Sequence, residues 1–306
     1  MKRTIQSVQG RILSNLMADI TSAHVIGKKI KSGEYRKRPI EPVWRCPKGY
    51  QLLKQYMGNY EMELLEPYNP KRSLVVLQLH GGGYIGPMKN IYRTFAVLYS
   101  KAADGASVAT IDYRVAPENP YPAALEDAIH AYFWLLENGY SKEQIVVAGD
   151  SAGGGLALAL CLYLRDECKP LPKGIITMSA WSDLTCEGES YTSNYEIDPL
   201  FGNTKDSMLF QSDYIGDNDA KNPYISPVFG EYHEFPPVLM QVGSAEMLLS
   251  DTLEVAQKIK EQGGKIRVSV YEGMFHVFQM SKFLIPESRE AWKEVSFFFK
   301  SILNKL

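Results

Sequence analysis

No stretch of this 306-residue chain approaches the roughly 20 consecutive apolar residues that span a bilayer. The start, "MKRTIQSVQGRILSNLMADI", carries a Lys-Arg pair but no uninterrupted apolar segment behind it. Neither a secretory signal nor a membrane span is therefore expected. Cysteine is scarce: Cys46, Cys161, Cys168 and Cys186 show neither CxxC pairing nor the density of a disulfide framework. Free thiols in a reducing cytoplasm are expected, with Cys161 and Cys168 buried in an apolar helical stretch. An excess of one charge is also missing, the formal net being −2. That excludes a broad basic face for nucleic acid and a solvated acidic tail.

Apolar residues make up 45% of the chain, enough for one large domain. They are arranged as short β-like runs alternating with helical patterns. "SLVVLQLHGGG", "ASVATIDYRVAPE", "QIVVAGDS", "KGIITMSAWSD", "PPVLMQVGSAE" and "KIRVSVYEGMFH" read as strands, and helical patterns follow most of them. The helix from Pro122 to the stop at Gly139 has clear end signals. "NYEMELLEP" reads as an antiparallel edge strand. This alternation predicts an α/β fold, a mostly parallel central sheet with helices on both faces. Two stretches break the pattern. Residues 1–45 look helical and then basic, and residues 184–225 are long, polar and aromatic. Together they are expected to cap the sheet's C-terminal edge, over a catalytic domain of residues 46–306.

"VVAGDSAGGGLALAL" (146–160) lacks the lysine of a phosphate-binding loop and the GxGxxG spacing of a dinucleotide site. It does fit G-x-S-x-G: Gly149, Asp150, Ser151, Ala152 and Gly153, between a strand and a helix. Such a turn thrusts Ser151 out above the sheet, where it can act as a nucleophile. "HGGGY" (80–84) ends an earlier strand. The N–H groups of Gly82 and Gly83, with that of Ala152, are candidate oxyanion donors. His80 is expected to fix that turn, and Asp150 to serve as a loop-fixing acceptor.

Five histidines compete for the role of base. His24 and His130 lie in helical stretches, and His233 precedes a strand, at the wrong sheet edge. His276 follows the last strand, at the edge where Ser151 emerges, which makes it the candidate. The acid that orients it should follow "PPVLMQVG". Glu246 is favoured there. Asp251 is the alternative, although it also reads as the cap of the next helix, with Glu254 completing a capping box. Arg114 and Glu118 are placed to pair. Tyr84 is expected to line the acyl pocket. Tyr191, Tyr195, Phe201, Phe210 and Tyr214 either wall the cavity or form the core of the cap.

Together "HGGGY", "DYRVAPENPYPAALED" and "GDSAGG" resemble the hormone-sensitive-lipase-like esterases of the α/β-hydrolase fold. The resemblance runs from about Leu74 to His276, and the N-terminal segment fits that family's cap. It implies Ser151 as nucleophile, His276 as base and Gly82, Gly83 and Ala152 as oxyanion donors. In the family's DxLxD-like pattern Glu246 takes the first acidic position and Ser250 the second, so a Glu replaces the usual Asp. The 30-residue interval to His276 also resembles the family's. The implied activity is a serine carboxylesterase for small, short-acyl esters, needing no cofactor or metal. The same triad would serve an amidase or deacetylase. A non-catalytic ligand-binding relative would lack the histidine. The expected partner is a small ester; nucleic acid and a membrane span are not expected, and a homodimer is left open.

Overall fold

Apolar runs bounded by glycine and proline turns become strands buried on both faces. The structure, a computed structural model, describes residues 2–4, 6–21, 28–70, 74–281 and 284–303. The strands are β1 (Lys2–Thr4), β2 (Tyr50–Tyr56), β3 (Glu61–Pro67), β4 (Val75–Leu79), β5 (Ser107–Asp112), β6 (Ile145–Asp150), β7 (Gly174–Met178), β8 (Val238–Gly243) and β9 (Ile266–Tyr271). The longer helices are α1 (Val8–Thr21), α2 (Asn90–Ala102), α3 (Ala123–Glu137), α4 (Ala152–Asp166), α5 (Leu249–Glu261) and α6 (Pro286–Ile302). The sheet order is β1-β9-β8-β7-β6-β4-β5-β3-β2. Pairing is parallel except where β3 meets β5 and β2.

Side-chain alternation along the strands splits the core in two. Val75, Leu77 and Leu79 face one side with Leu125 of α3, Leu156 of α4 and Val255 of α5. Val76, Val146 and Ala148 face the other, with Phe95 of α2 and Trp292 and Phe299 of α6. Each buried Leu- or Phe-sized side chain contributes about 1.5–3 kcal/mol. The sheet is thus a rigid floor, and its C-terminal edge is free to carry loops. Register sets the site: Leu79 pairs with Gly149, and Asp150 with Met178. The "HGGG" turn therefore leaves the sheet beside the serine turn, and the ends of β8 and β9 lie one and two strands beyond β7.

Four expectations need correction. "NYEMELLEP" is antiparallel but is not the edge: β2 lies outside it. β2 is polar and mostly exposed, so it has no apolar alternation to reveal it. The N-terminal segment adds a three-residue strand, β1, against β9 as well as the expected helix. Cys161 is buried but Cys168 is exposed, because α4 stops at Asp166. Arg114 pairs with Asp127 and Glu126 of α3 rather than with Glu118.

The 184–225 segment is built mainly of turns, with one helical turn at Ser190–Ser193. Buried carboxylates replace regular pairing as acceptors for its backbone. Asp183 accepts the N–H groups of Thr185, Glu187 and Gly188. Asp198 accepts those of Leu200 and Phe201, and its other oxygen accepts the Met247 N–H, after β8. Among the described residues no helix is long and apolar enough to cross a membrane. His24 lies outside the described residues.

Burial also raises the Cys161 thiol above its ordinary pKa, which suppresses the reactive thiolate. A disulfide reagent added to native protein is expected to modify Cys46 and Cys168 quickly, and Cys161 only after denaturation. Rapid native labelling of Cys161 would contradict this packing.

Candidate active site

Ser151 joins β6 to α4 with φ 53° and ψ −125°, a conformation costing about 1–3 kcal/mol for a side chain of this kind. The turn is held from both sides. Its N–H donates to Met178 O (2.9 Å), and its carbonyl accepts from Gly154, Gly155 and Trp181. Glycine permits the approach: a Cβ on Gly153 would lie 2.1 Å from Leu79 O, and one on Gly149 2.1 Å from Gly153 O. α4 can therefore start directly against the end of β4, and Ser151 sits at the floor of a cavity.

His276, after β9, borders the same cavity. Its Nδ1–H donates to Glu246 Oε2 at 3.0 Å, which leaves Nε2 as the proton acceptor. Glu246 is fully buried, and its other oxygen accepts from Ser179 Oγ (2.7 Å) and Gly243 N–H (2.6 Å). Ser179 Oγ in turn accepts the Val277 N–H at 3.0 Å. One serine thus braces both the acid and the backbone next to the imidazole.

Across the cavity, Gly82 and Gly83 have φ of 125° and 63°. The Gly82 carbonyl is used by Ile85 and Gly86, while among the described backbone hydrogen bonds none takes the N–H of Gly82 or Gly83. Ala152 supplies the first N–H of α4, which has no acceptor within its helix. His80 sits beneath this turn, stacked on Tyr113 at 4.1 Å, its Nδ1–H donating to Gly81 O. Burial lowers its pKa, so it stays neutral and holds the turn. The cavity encloses about 420 Å³, with Met17, Leu200, Phe201, Met208 and Phe275 among its apolar walls.

Residues 76–280 match the model of a family described as alpha/beta hydrolase fold. The chain belongs to this α/β-hydrolase family. An acetyl-hydrolase of Streptomyces hygroscopicus is 37% identical over 226 residues, covering 74% of this chain and 75% of its own. An esterase of Acinetobacter venetianus is 32% identical over 228 residues, covering 74% and 75%. Among solved structures, an esterase/lipase from an uncultured bacterium superposes with a TM-score of 0.83 at 29% identity, covering 97% and 99% of the two chains. An esterase of the bacterial hormone-sensitive lipase family gives 0.82 at 28% identity, over the same shares.

Within this α/β-hydrolase the expected aromatics other than Phe201 fall outside the cavity wall. Tyr84 is buried beneath the site, stacked on Tyr214 at 3.8 Å, because the tight turn after Gly83 points it inward. Tyr195 and Phe210 meet each other edge-on under Lys205, within the 184–225 segment. Tyr191 is buried and donates to the Asp183 carbonyl. Phe201 does line the cavity and meets the His276 ring at 4.9 Å. Asp251 lies inside α5, whose N-cap is Leu248, so it forms no capping box. Its Oδ2 instead accepts the N–H groups of Ser182 and Asp183, tying α5 to the loop after β7.

Sequence reasoning missed Ser179 and Asp198. Ser179 follows a strand as an unremarkable serine, and only its positive φ of 51° marks it. Asp198 lies in a polar loop with many acids. Asp150 accepts a hydrogen bond from Gly81 and lies 3.5 Å from Tyr92 Oη. Burial pushes its carboxyl up to about 7; the hydrogen bonds from Gly81 and Tyr92 oppose the shift.

Ser179→Ala is expected to lower kcat about tenfold in steady-state ester hydrolysis, with KM little changed, since a charge-assisted hydrogen bond to Glu246 is lost. Unchanged kcat would remove Ser179 from the positioning network. A raised carboxyl pKa means that Asp150 binds its proton more tightly in the folded state. Its stabilising contribution is full below 3.8 and lost as pH rises to about 7. Denaturation midpoints of Asp150→Asn are therefore expected to gain on the wild type across that window and then level off. A constant difference would contradict the shift.

Proposed function

We propose that this α/β-hydrolase is a serine carboxylesterase acting on small, short-acyl esters, with Ser151, His276 and Glu246 as its triad. The observation that carries the proposal is the hydrogen bond from His276 Nδ1 to buried Glu246, beside a cavity whose floor is the strained Ser151 turn. The relatives named acetyl-hydrolase and esterase support the same chemistry.

Ser151 Oγ attacks the ester carbonyl while His276 Nε2 takes its proton. The resulting oxyanion is held by the N–H groups of Gly82, Gly83 and Ala152, each worth about 2.7–4 kcal/mol in the transition state. Glu246 stabilises the imidazolium and fixes its tautomer. The imidazolium then protonates the departing alcohol, leaving an acyl-serine. Water attacks that acyl group, giving its proton to His276, and the carboxylic acid leaves as Ser151 is reprotonated. Met208 is packed on the oxyanion turn, its sulfur where a Gly83 Cβ would project, and this favours short acyl chains. Residues 1–45 and 184–225 form the cap of this reading, over a catalytic domain of residues 46–306. Met17 from the first cap segment and Leu200, Phe201 and Met208 from the second contribute to the cavity wall.

A p-nitrophenyl acyl series from acetate upward tests the proposal. Activity should be highest at the short end of the series, given Met208 packed against the oxyanion turn, and Ser151→Ala should abolish it. Substantial hydrolysis by folded Ser151→Ala protein would sink the mechanism. Glu246→Ala should reduce kcat by about 10³-fold or more. Asp251→Ala should act mainly on stability, because Asp251 ties Ser182 and Asp183 to α5. If only Asp251→Ala collapsed turnover in folded protein, the acid assignment would be wrong.

A further inference from the structure

The cavity that holds Ser151 and His276 also contains a cation that the mechanism does not use. Lys89 lines its wall. It directly precedes α2, six residues beyond Gly83 on the turn that ends β4. Its ammonium lies over the Tyr35 ring, 4.9 Å from the centroid, and Tyr35 lines the cavity too. Three cations of the neighbouring N-terminal segment are paired, Lys31 with Asp206, Arg36 with Asp213 and Arg38 with Asp112. Among the described ion pairs, none includes Lys89.

A half-buried ammonium without a carboxylate is costly unless something returns its lost hydration. The Tyr35 ring face returns part of it. Glu41 opposes the positive potential from a distance, but its carboxylate is already used by the Asn90 N–H at 2.8 Å. Burial, with Lys29 nearby, lowers the Lys89 pKa, the direction expected of a cation short of partners. Among the described lining residues Asp150 is the one carboxylate, and it already accepts the Gly81 N–H beside Ser151; Met17, Ile91, Leu200, Phe201 and Met280 are apolar. The cavity therefore has two poles, an ester-cleaving one at Ser151 and a cationic one at Lys89.

We infer that Lys89 is a specificity-determining residue, and that the ester this enzyme prefers carries a carboxylate on one of its two portions. A lysine suits this role as a compact point charge with rotatable donors, which tolerates variation in where the anion lies. The inference rests on the esterase reading above and adds the charge of the substrate to it.

Two matched pairs of esters test it. Mono-p-nitrophenyl succinate against p-nitrophenyl butyrate places the carboxylate on the acyl side. 4-Acetoxybenzoate against its methyl ester places it on the alcohol side. For at least one pair the ratio of kcat/KM, anionic over neutral, is expected to exceed one, after correction for each pair's hydroxide-catalysed rate. Lys89→Gln should lower that ratio about tenfold or more, and Lys89→Arg should restore most of it. In the wild type the ratio should also fall as ionic strength rises. A preference for the neutral ester in both pairs would overturn the inference. So would a ratio unchanged in folded Lys89→Gln, or, should that variant not fold, a wild-type ratio indifferent to salt. Ser151-dependent hydrolysis of the neutral esters in any of these cases would leave the esterase reading standing.

Discussion

Three strand ends meet on one buried carboxylate. Glu246 accepts from Ser179 after β7, from Gly243 at the end of β8 and from His276 after β9. A carboxylate with no exposure is strongly disfavoured without such donors. Their convergence therefore fixes the separation of the three strand ends as much as it orients the imidazole. The Ser179 hydroxyl closes the arrangement by accepting the backbone N–H next to His276. The 184–225 segment is tied to the same turn: Asp198 binds Met247, and Asn194 donates to the carbonyls of Ser244 and Glu246. The wall formed by Leu200 and Phe201 is thus anchored to the loop that carries Glu246.

The opposite side of the site depends on the close approach of backbones. Gly149 and Gly153 let β6 and α4 press against the end of β4, and parallel register brings the "HGGG" turn alongside. Both features belong to the C-terminal edge of the sheet. A wider groove of about 630 Å³ lies at the other edge, near Lys173, Val238 and Ile266, with no histidine among its lining residues. Cavity size alone would have pointed there; the convergence of Ser151, His276 and the Gly82 and Gly83 N–H groups points to the smaller chamber.

The parts of this arrangement legible in the sequence are those with a short-range signature. The alternation of apolar strands with helices, the G-x-S-x-G turn, the "HGGG" turn and a histidine after the last strand each follow from local pattern. The choice of Glu246 over Asp251 rested on distance from a strand end, and the structure brings Glu246 to His276. Asp251 received a structural role in both readings but for different reasons, since its partners, Ser182 and Asp183, are nearly 70 residues away in the chain. The contacts of Ser179 and the tether from Asp198 to Met247 were illegible for the same reason. Tyr84, Tyr195 and Phe210 show that an aromatic near a site carries no sign of which way it faces. Polar β2 shows that an exposed strand carries no apolar alternation to read.

The central claim is that Ser151 forms a covalent acyl intermediate. Peptide mass spectrometry after inactivation with a p-nitrophenyl alkylphosphonate ester measures this directly. One phosphonyl group per chain, confined to the peptide containing Ser151 and lost in His276→Ala, is the expected result. Complete inactivation with Ser151 unmodified would contradict the account.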